Sequence, residues 1–151
     1  MVDTNLVAAK LRELAERIER VRKHCPSAAA DLAADLDALD LVSFNLMLAV
    51  QACADLASHL ISDEDWPPAG TYAEAFQRLH EHGVLSRDTA AILGRATGLR
   101  NVVAHGYAEV DPELIHGAAV HGLGDLERFS REVSAWVEGR PGVCSREAEP
   151  E

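Results

Sequence analysis

The side chains best suited to chemistry lie in one stretch of ten residues, Gly98–Tyr107, which reads GLRNVVAHGY. Arg100 is followed by His105 after four intervening residues, and Tyr107 comes two residues later. An arginine guanidinium is always charged and fits the oxygens of a phosphate, whereas a histidine exchanges a proton near neutral pH. A tyrosine adds a hydroxyl group that can be modified. This set of side chains is suited to cleaving a phosphodiester without a metal ion.

Each residue of this stretch also has a structural interpretation, and these alternatives stay open. Arg100 can pair with an acid or with carbonyls at a helix end, and His105 can be a histidine satisfied at an interface. Tyr107 can serve in packing alone. For Asn101 we favour a supporting role, in which its amide holds the histidine or the end of its helix.

The other histidines do not predict a metal site. His80 and His82 are two residues apart and point to different faces of a helix, and His116 and His121 are five apart. No cluster of cysteines or acids completes either pair, so we expect no metal and no other cofactor. The chain has three cysteines, Cys25, Cys53 and Cys144, and this odd number predicts free thiols in a reducing cytoplasm. Cys53 should be buried on an apolar helix face.

The charge of the chain limits its contact with nucleic acid. The net charge of -11 over 151 residues argues against broad binding, because phosphate contacts need lysine and arginine. Residues 25–83 carry ten acids and one base, Arg78, whereas residues 84–110 carry three arginines and two acids. We therefore expect any RNA contact to be small and local. The acids also have a simpler interpretation as a solvated face, and for one group of them contact with a basic partner is the alternative (Asp31, Asp35, Asp37, Asp40).

Apolar residues recur every three or four positions along most of the chain, which predicts helices throughout. The first helix should end near His24, where Pro26 interrupts it. We predict four further helices. The second runs from about Ala28 to Ile61 and is capped by Ser27. The third runs from Thr71 to Gly83, with a capping box completed by Glu74, and the fourth runs from Ser86 to Gly106. The fifth runs from Asp111 to about Val137 and is loosened near three glycines (Gly117, Gly122, Gly124).

These segments predict an all-α fold, an antiparallel bundle of four to five helices. We expect one domain over residues 1–138 and a mobile acidic tail over residues 139–151. No apolar run approaches the roughly 18 residues that cross a bilayer, so we expect no membrane association.

The chain resembles the HEPN superfamily, and within it the HepT-like toxins that are encoded beside a minimal nucleotidyltransferase antitoxin. The resemblance covers roughly residues 5–137. It is carried by five short segments: Pro67-Pro68, Tyr72–Leu79, Gly83-Val84-Leu85, Gly98-Leu99-Arg100-Asn101 and His105-Gly106-Tyr107.

The resemblance implies a cytoplasmic toxin, a metal-independent endoribonuclease that forms a homodimer through its motif helices. Arg100 and His105 would be catalytic, with Asn101 in support. Tyr107 would contact RNA or accept adenylyl groups from the antitoxin. This adenylylation would silence the nuclease, and the antitoxin can join the dimer in a larger hetero-oligomer. The alternative is a non-catalytic helical subunit, or a nucleotide-binding module, of a nucleotidyltransferase complex.

Helix geometry gives a separate reason for a dimer. A five-residue offset turns a side chain by about 140° around an ideal helix, so Arg100 and His105 do not face the same way. They converge if the helix ends near Gly106, or if two subunits share one site.

Overall fold

A computed structural model of the chain describes residues 1–106 and 110–140. Over these residues it contains seven helices and no strand: α1 (Thr4–His24), α2 (Ala29–Ala34), α3 (Leu36–Asp63), α4 (Tyr72–Glu81), α5 (Arg87–Ala104), α6 (Pro112–His121) and α7 (Leu123–Glu138). The predicted all-α bundle is confirmed, although two of the five predicted helices are each divided. α7 ends at the residue where we placed the domain boundary, and that division stays a prediction, because residues 141–151 of the tail lie outside the described range.

α3 is the central helix, and it contacts each of the other six. Its buried side chains are almost all apolar and include Leu46, Val50, Leu56 and Leu60. Within the described part of the chain it is the single helix long and apolar enough to cross a membrane, with a mean hydropathy of 1.4 over its most apolar window. Because 61% of that window is buried inside the protein, packing in the bundle accounts for its composition.

The predicted second helix is wrong as one element, because it is broken at Asp35. The backbone of Asp35 is extended (φ −119°, ψ 94°), and its carboxylate accepts a hydrogen bond from the Ala38 N–H at 3.1 Å. This cap starts α3 afresh, and Leu36, an apolar residue inside the predicted second helix, is 70% exposed. The predicted cap at Ser27 is also wrong, since α2 begins after Ala28 without a side-chain hydrogen bond.

The predicted fifth helix is divided at Gly122, one of the three glycines where we expected it to loosen. Gly122 ends α6 and precedes α7. A Cβ atom there would lie 2.5 Å from the carbonyl oxygen of Ala118, so a larger residue would not fit. Gly117 and Gly124 lie inside α6 and α7 and do not interrupt them.

The ends of α4 and α5 agree with the sequence. Thr71 caps α4 by accepting from the Glu74 N–H at 3.1 Å. The Glu74 carboxylate accepts from the Gly70 N–H at 2.7 Å, one residue before the position a standard capping box would use. Gly83 follows α4 with φ +77°, and Gly106 follows α5 with φ +59°, the left-handed conformation that glycine adopts readily.

The start of α5 is tied to α7 by one carboxylate. Glu132 accepts hydrogen bonds from the Ser86 N–H and the Thr89 hydroxyl, and Arg128 Nε lies 3.6 Å from it. Burial alone would raise the pKa of Glu132, but the hydrogen bonds from Thr89 and Ser86 and the charge of Arg128 outweigh it and leave the pKa lowered. The helix that carries the candidate site is thereby fixed at its first turn.

Replacing Glu132 by glutamine should destabilise the fold in a pH-dependent way. At pH 7 we expect a loss of about 1 kcal/mol, a modest value because solvent screens the site. Since the folded-state pKa is lowered, this stabilisation is present above about pH 4.5, the ordinary pKa of a glutamate, and is lost as the pH falls through the folded-state value. Urea unfolding between pH 3 and 7 measures the difference from wild type, which should shrink towards acid. The exposed Glu138→Gln on α7 is the control, and an equal or pH-independent loss in both variants would contradict this assignment.

Candidate functional site

Three of the four predicted site residues lie at the end of α5. Arg100 and Asn101 belong to the last turns of the helix, and His105 is its C-cap, with its N–H donating to the Asn101 carbonyl oxygen at 3.0 Å. His105 is exposed and Arg100 is half-buried. Tyr107 lies outside the described residues.

Arg100 points into the bundle and is held by two neutral amides. Its Nε donates to Gln51 Oε1 at 2.7 Å, and its Nη1 donates to Asn101 Oδ1 at 2.9 Å. Its Cζ lies 5.8 Å from the centre of the Tyr72 ring, within the range of a cation–π contact. Among residues 1–106 and 110–140, no carboxylate forms an ion pair with Arg100. The guanidinium is therefore oriented while its charge stays available to an anion.

Gln51 is itself held in one orientation by two neighbours. Its Nε2 donates to Asp55 Oδ1 at 2.8 Å and to the Tyr72 hydroxyl oxygen at 3.2 Å, so its amide oxygen faces Arg100. Asp55 in turn lies 3.6 Å from Lys10 Nζ. This chain of contacts fixes the oxygen that receives the arginine donor.

Sequence reasoning missed Gln51 and Asp55 as parts of the site. Both lie on α3, four residues apart and hence on one face of the helix, in a segment otherwise rich in alanine and leucine. That isolated polar pair was the available signal. Their partner Arg100, however, is 49 positions from Gln51 in sequence, and helical periodicity says nothing about such a distant contact.

Asn101 joins the two predicted catalytic residues. Its side chain accepts from Arg100, and its backbone carbonyl accepts from the N–H of His105. The side chain thus orients the arginine, whereas the sequence suggested the histidine or the helix end. Arg100 is directed towards α3, whereas His105 lies exposed at the end of α5.

An uncharged groove lies beside Arg100, between the end of α3 and the start of α4. We call it the α3–α4 groove. It has a volume of about 550 Å³, and its polar and aromatic lining residues are Ser58, Ser62, Trp66, Thr71, Tyr72 and Asn101. Tyr72 and Asn101 belong both to this groove and to the surroundings of Arg100.

A second and larger groove lies between the first turns of α3 and the end of α5. This α3–α5 groove has a volume of about 990 Å³ and is lined by apolar residues together with two aspartates (Leu36, Phe44, Val103, Asp37, Asp40). Leu36 is 70% and Phe44 51% exposed. Its acidic lining distinguishes it from the α3–α4 groove.

The remaining histidines have separate surroundings. His80 Nδ1 lies 3.0 Å from the Leu85 carbonyl oxygen, and His116 Nε2 lies 3.0 Å from that of Pro26. His82 stacks on Trp66. No group of three or more histidines, cysteines or acids that could hold a metal occurs in the described part of the chain.

The structure describes two of the three cysteines, Cys25 and Cys53. Cys53 is fully buried, as its place on the apolar stripe predicted, and burial raises the pKa of its thiol well above the usual range. Cys25 is only partly buried, with a smaller rise in pKa from the same cause. Cys144 lies outside the described residues.

A family model and two curated relatives place the chain in the same family. A sequence model for the family described as Ribonuclease HepT-like matches residues 14–133. The chain is 26% identical over 101 residues to the mRNA nuclease HepT of Shewanella oneidensis, covering 67% of this chain and 76% of that protein. It is 27% identical over 92 residues to the tRNA nuclease HepT of Aphanizomenon flos-aquae, covering 61% of this chain and 63%, slightly under two thirds, of that protein.

The fold also matches solved structures. One is the tri-AMPylated HEPN toxin of Shewanella oneidensis in complex with MNT antitoxin, with a TM-score of 0.80 at 23% identity, covering 89% of this chain and 99% of that one. Another is YutE of Bacillus subtilis, a cytosolic protein of unknown function, with a TM-score of 0.79 at 14% identity, covering 95% of this chain and 96% of that one. At these identities the likeness establishes a shared fold.

The anchoring of Arg100 by Gln51 can be tested by NMR. The Nε–H of Arg100 should exchange slowly with solvent because it is bonded to Gln51, and its signal is assigned by its loss in Arg100→Lys. Gln51→Met keeps the length and helix propensity of the side chain but removes the acceptor, so we expect this exchange to quicken about tenfold or more, equivalent to losing roughly 1.4 kcal/mol of protection.

The matched control is Gln77→Met, because Gln77 is exposed on α4 and should leave the signal unchanged. Unaltered exchange in Gln51→Met would show that the amide does not hold the arginine.

Proposed function

Because this chain belongs to the Ribonuclease HepT-like family, we propose that it is an endoribonuclease and the toxin of a toxin–antitoxin pair. Two relatives are named as nucleases of mRNA and of tRNA, and a toxin of the same fold is described in complex with an antitoxin. The single observation that carries the proposal is the environment of Arg100, whose guanidinium is held by neutral partners five residues before the exposed His105.

In this proposal Arg100 binds the phosphate at the scissile bond. Its two hydrogen bonds to Gln51 and Asn101 use two of the five guanidinium N–H donors. The others can bind the phosphate oxygens and stabilise the negative charge that develops on them during the reaction. Because the guanidinium is already oriented, little reorganisation is needed when RNA binds.

The reaction we propose uses the RNA's own 2′-hydroxyl as the nucleophile. A base removes the hydroxyl proton, the oxygen attacks the phosphorus, and an acid donates a proton to the departing 5′-oxygen, which leaves a 2′,3′-cyclic phosphate. These proton transfers need side chains but no metal ion. His105 serves in one of the two roles, and a cleft shared by two subunits supplies a second copy of His105 for the other.

We propose that the shared cleft forms through the exposed face of α5. Gly98, Val102 and His105 are spaced by four and three residues and are all exposed, so they lie along one face of the helix. Val102 is a large apolar residue that is 37% exposed. Joining two such faces would cover it and place the His105 side chains of both subunits near one another.

We further propose that a nucleotidyltransferase antitoxin silences the nuclease by adenylylating Tyr107. The support is the tri-AMPylated state of the Shewanella toxin found with its antitoxin, together with the position of Tyr107 two residues after His105. An added adenylyl group brings negative charge and bulk next to the phosphate site, so it would block RNA by repulsion and by volume. The toxin and antitoxin would act together in the cytoplasm, where the RNA substrate is found.

Removing the guanidinium tests the proposed site. Arg100→Ala should lower kcat/KM for cleavage of a structured RNA by about 100-fold or more, because the charge on the phosphate is no longer stabilised. Arg95→Ala is the matched control, since Arg95 is exposed on the same helix, and it should change kcat/KM by no more than about threefold. Circular dichroism of both variants should match wild type. Full activity in Arg100→Ala would exclude its assigned role.

A side chain added at Gly98 tests the dimer. A Cβ atom at Gly98 or at Gly124 meets no atom within 4 Å, so Gly98→Gln and Gly124→Gln should both fold, with helix content retained or raised. Gly98→Gln should raise the dissociation constant of the dimer at least about tenfold, because roughly 1.4 kcal/mol is lost when a bulky polar side chain separates the two faces. Light scattering coupled to gel filtration measures this. Gly124→Gln on α7 should behave like wild type, and an intact Gly98→Gln dimer would place the interface elsewhere.

Labelling with ATP radioactive at the α-phosphate tests the modification site. In the presence of the antitoxin, Tyr107→Phe should incorporate no label and should stay toxic beside its partner, because it lacks the acceptor oxygen. The chain has one other tyrosine, and Tyr72→Phe should still be labelled. Label on Tyr107→Phe would assign the modification to another residue.

A further inference from the structure

We propose that the α3–α4 groove binds the nucleoside attached to the phosphate at Arg100, so that one single-stranded RNA nucleotide extends from the arginine into the groove. This inference rests on the proposed nuclease function and adds to it the part of the substrate that a single subunit would recognise. Three features of the groove support it: its continuity with Arg100, its lining and its contrast with the larger groove.

The groove and the phosphate site share two residues. Asn101 receives a hydrogen bond from Arg100 and also forms part of the groove wall. The Tyr72 ring lies 5.8 Å from the Arg100 guanidinium carbon and lines the groove as well. A phosphate bound by the guanidinium therefore has its attached sugar and base next to the groove opening.

The lining of the groove suits a nucleoside. All of the lining residues in the described part of the chain are uncharged, and the volume of about 550 Å³ lies within the range of pockets for small ligands. Ser58 and Ser62 supply hydroxyl groups that can bond ribose oxygens or a base edge. Trp66 supplies an aromatic surface of the kind on which bases of single-stranded RNA stack.

Trp66 is held rigidly for such a role. His82 stacks on one of its faces, with ring centroids 4.2 Å apart and planes 7° apart. Trp136 meets it edge-on at 5.7 Å. Trp66 nevertheless stays half-buried rather than fully covered and lines the groove, so part of its indole surface is available to a base.

The larger α3–α5 groove is a poorer place for the same ligand. Asp37 and Asp40 line it, and their carboxylates would repel the phosphates on either side of a bound nucleoside. The α3–α4 groove lacks such charges and is adjacent to a cation. Electrostatics thus favours the smaller groove for RNA.

Fluorescence of Trp66 provides a direct test. The chain has two tryptophans, so Trp136→Phe leaves Trp66 as the sole reporter. In this background adenosine 3′-monophosphate and cytidine 3′-monophosphate should quench the fluorescence saturably, whereas ribose 5-phosphate, which has no base, should not. Adding Ser58→Tyr, which fills the groove from the exposed face of α3, should weaken nucleotide binding at least tenfold. Ala9→Tyr, on the exposed face of α1, is the matched control and should bind as the background does.

Equal quenching by ribose 5-phosphate, or unchanged nucleotide binding in Ser58→Tyr, would overturn the proposal. A second measurement uses RNA cleavage by a protein that carries Ser58→Tyr alone. The factor by which this substitution raises KM should be at least five times the factor by which it lowers kcat. If Ser58→Tyr cleaves RNA with wild-type KM, the groove assignment fails and the nuclease assignment stands. If mononucleotides bind in the groove but no RNA is cleaved, the groove assignment stands and the nuclease assignment fails.

Discussion

The burial of α3 is the constraint on which the rest of the structure depends. This helix contacts all six others, and it can do so because its side chains are apolar around most of its circumference. Hydrophobic burial of this extent is the main source of stability in a helical bundle. Gln51 is a half-buried polar residue on this helix, and its amide bonds Arg100, Asp55 and Tyr72. The packing of the core and the orientation of the candidate catalytic arginine are consequences of the same helix.

The chemistry of Arg100 follows from the kind of partner it has. Several other arginines are paired with carboxylates, among them Arg22 with Glu127 and Arg140 with Glu64 at 2.8 Å, whereas Arg17, like Arg100, bonds an amide, that of Asn45 at 3.2 Å. The pairs with carboxylates satisfy the guanidinium and also offset its charge. The amides around Arg100 supply hydrogen bonds without a compensating negative charge, so the positive charge is oriented but not neutralised. Such an arginine suits the phosphate-binding role proposed for Arg100.

Local rules in the sequence predicted much of the fold. The ends of α1, α4 and α5 followed from a proline, capping hydroxyls and two glycines, because each of these acts on the backbone within a few residues. The break at Asp35 was missed because the apolar periodicity continues on both sides of it. Aspartate is nevertheless a favoured N-cap residue, and Asp35 caps α3 by accepting from the N–H of Ala38. The periodicity alone could not distinguish one long helix from two.

Part of the candidate site could be named from the sequence, for a different physical reason, and the roles of its residues stay predictions. Arg100 and His105 were found from their chemistry and from the family resemblance, and neither requires knowledge of packing. The contact between Arg100 and Gln51 depends on how α5 lies against α3, and it joins positions far apart in the chain. The α3–α4 groove likewise exists only once three helices are assembled. Both features are properties of tertiary structure and needed coordinates.

The most direct test of the account compares the unmodified wild-type protein with His105→Ala on a structured RNA in excess chelator. His121→Ala serves as the matched control, because His121 is exposed at the end of α6. The account predicts that wild type and His121→Ala cut the RNA and leave 2′,3′-cyclic phosphate ends, while His105→Ala is slower by about 100-fold or more. Equal cutting by His105→Ala, or no cutting by wild-type protein shown by mass to be unmodified, would contradict the assignment of this chain as a nuclease acting through the end of α5.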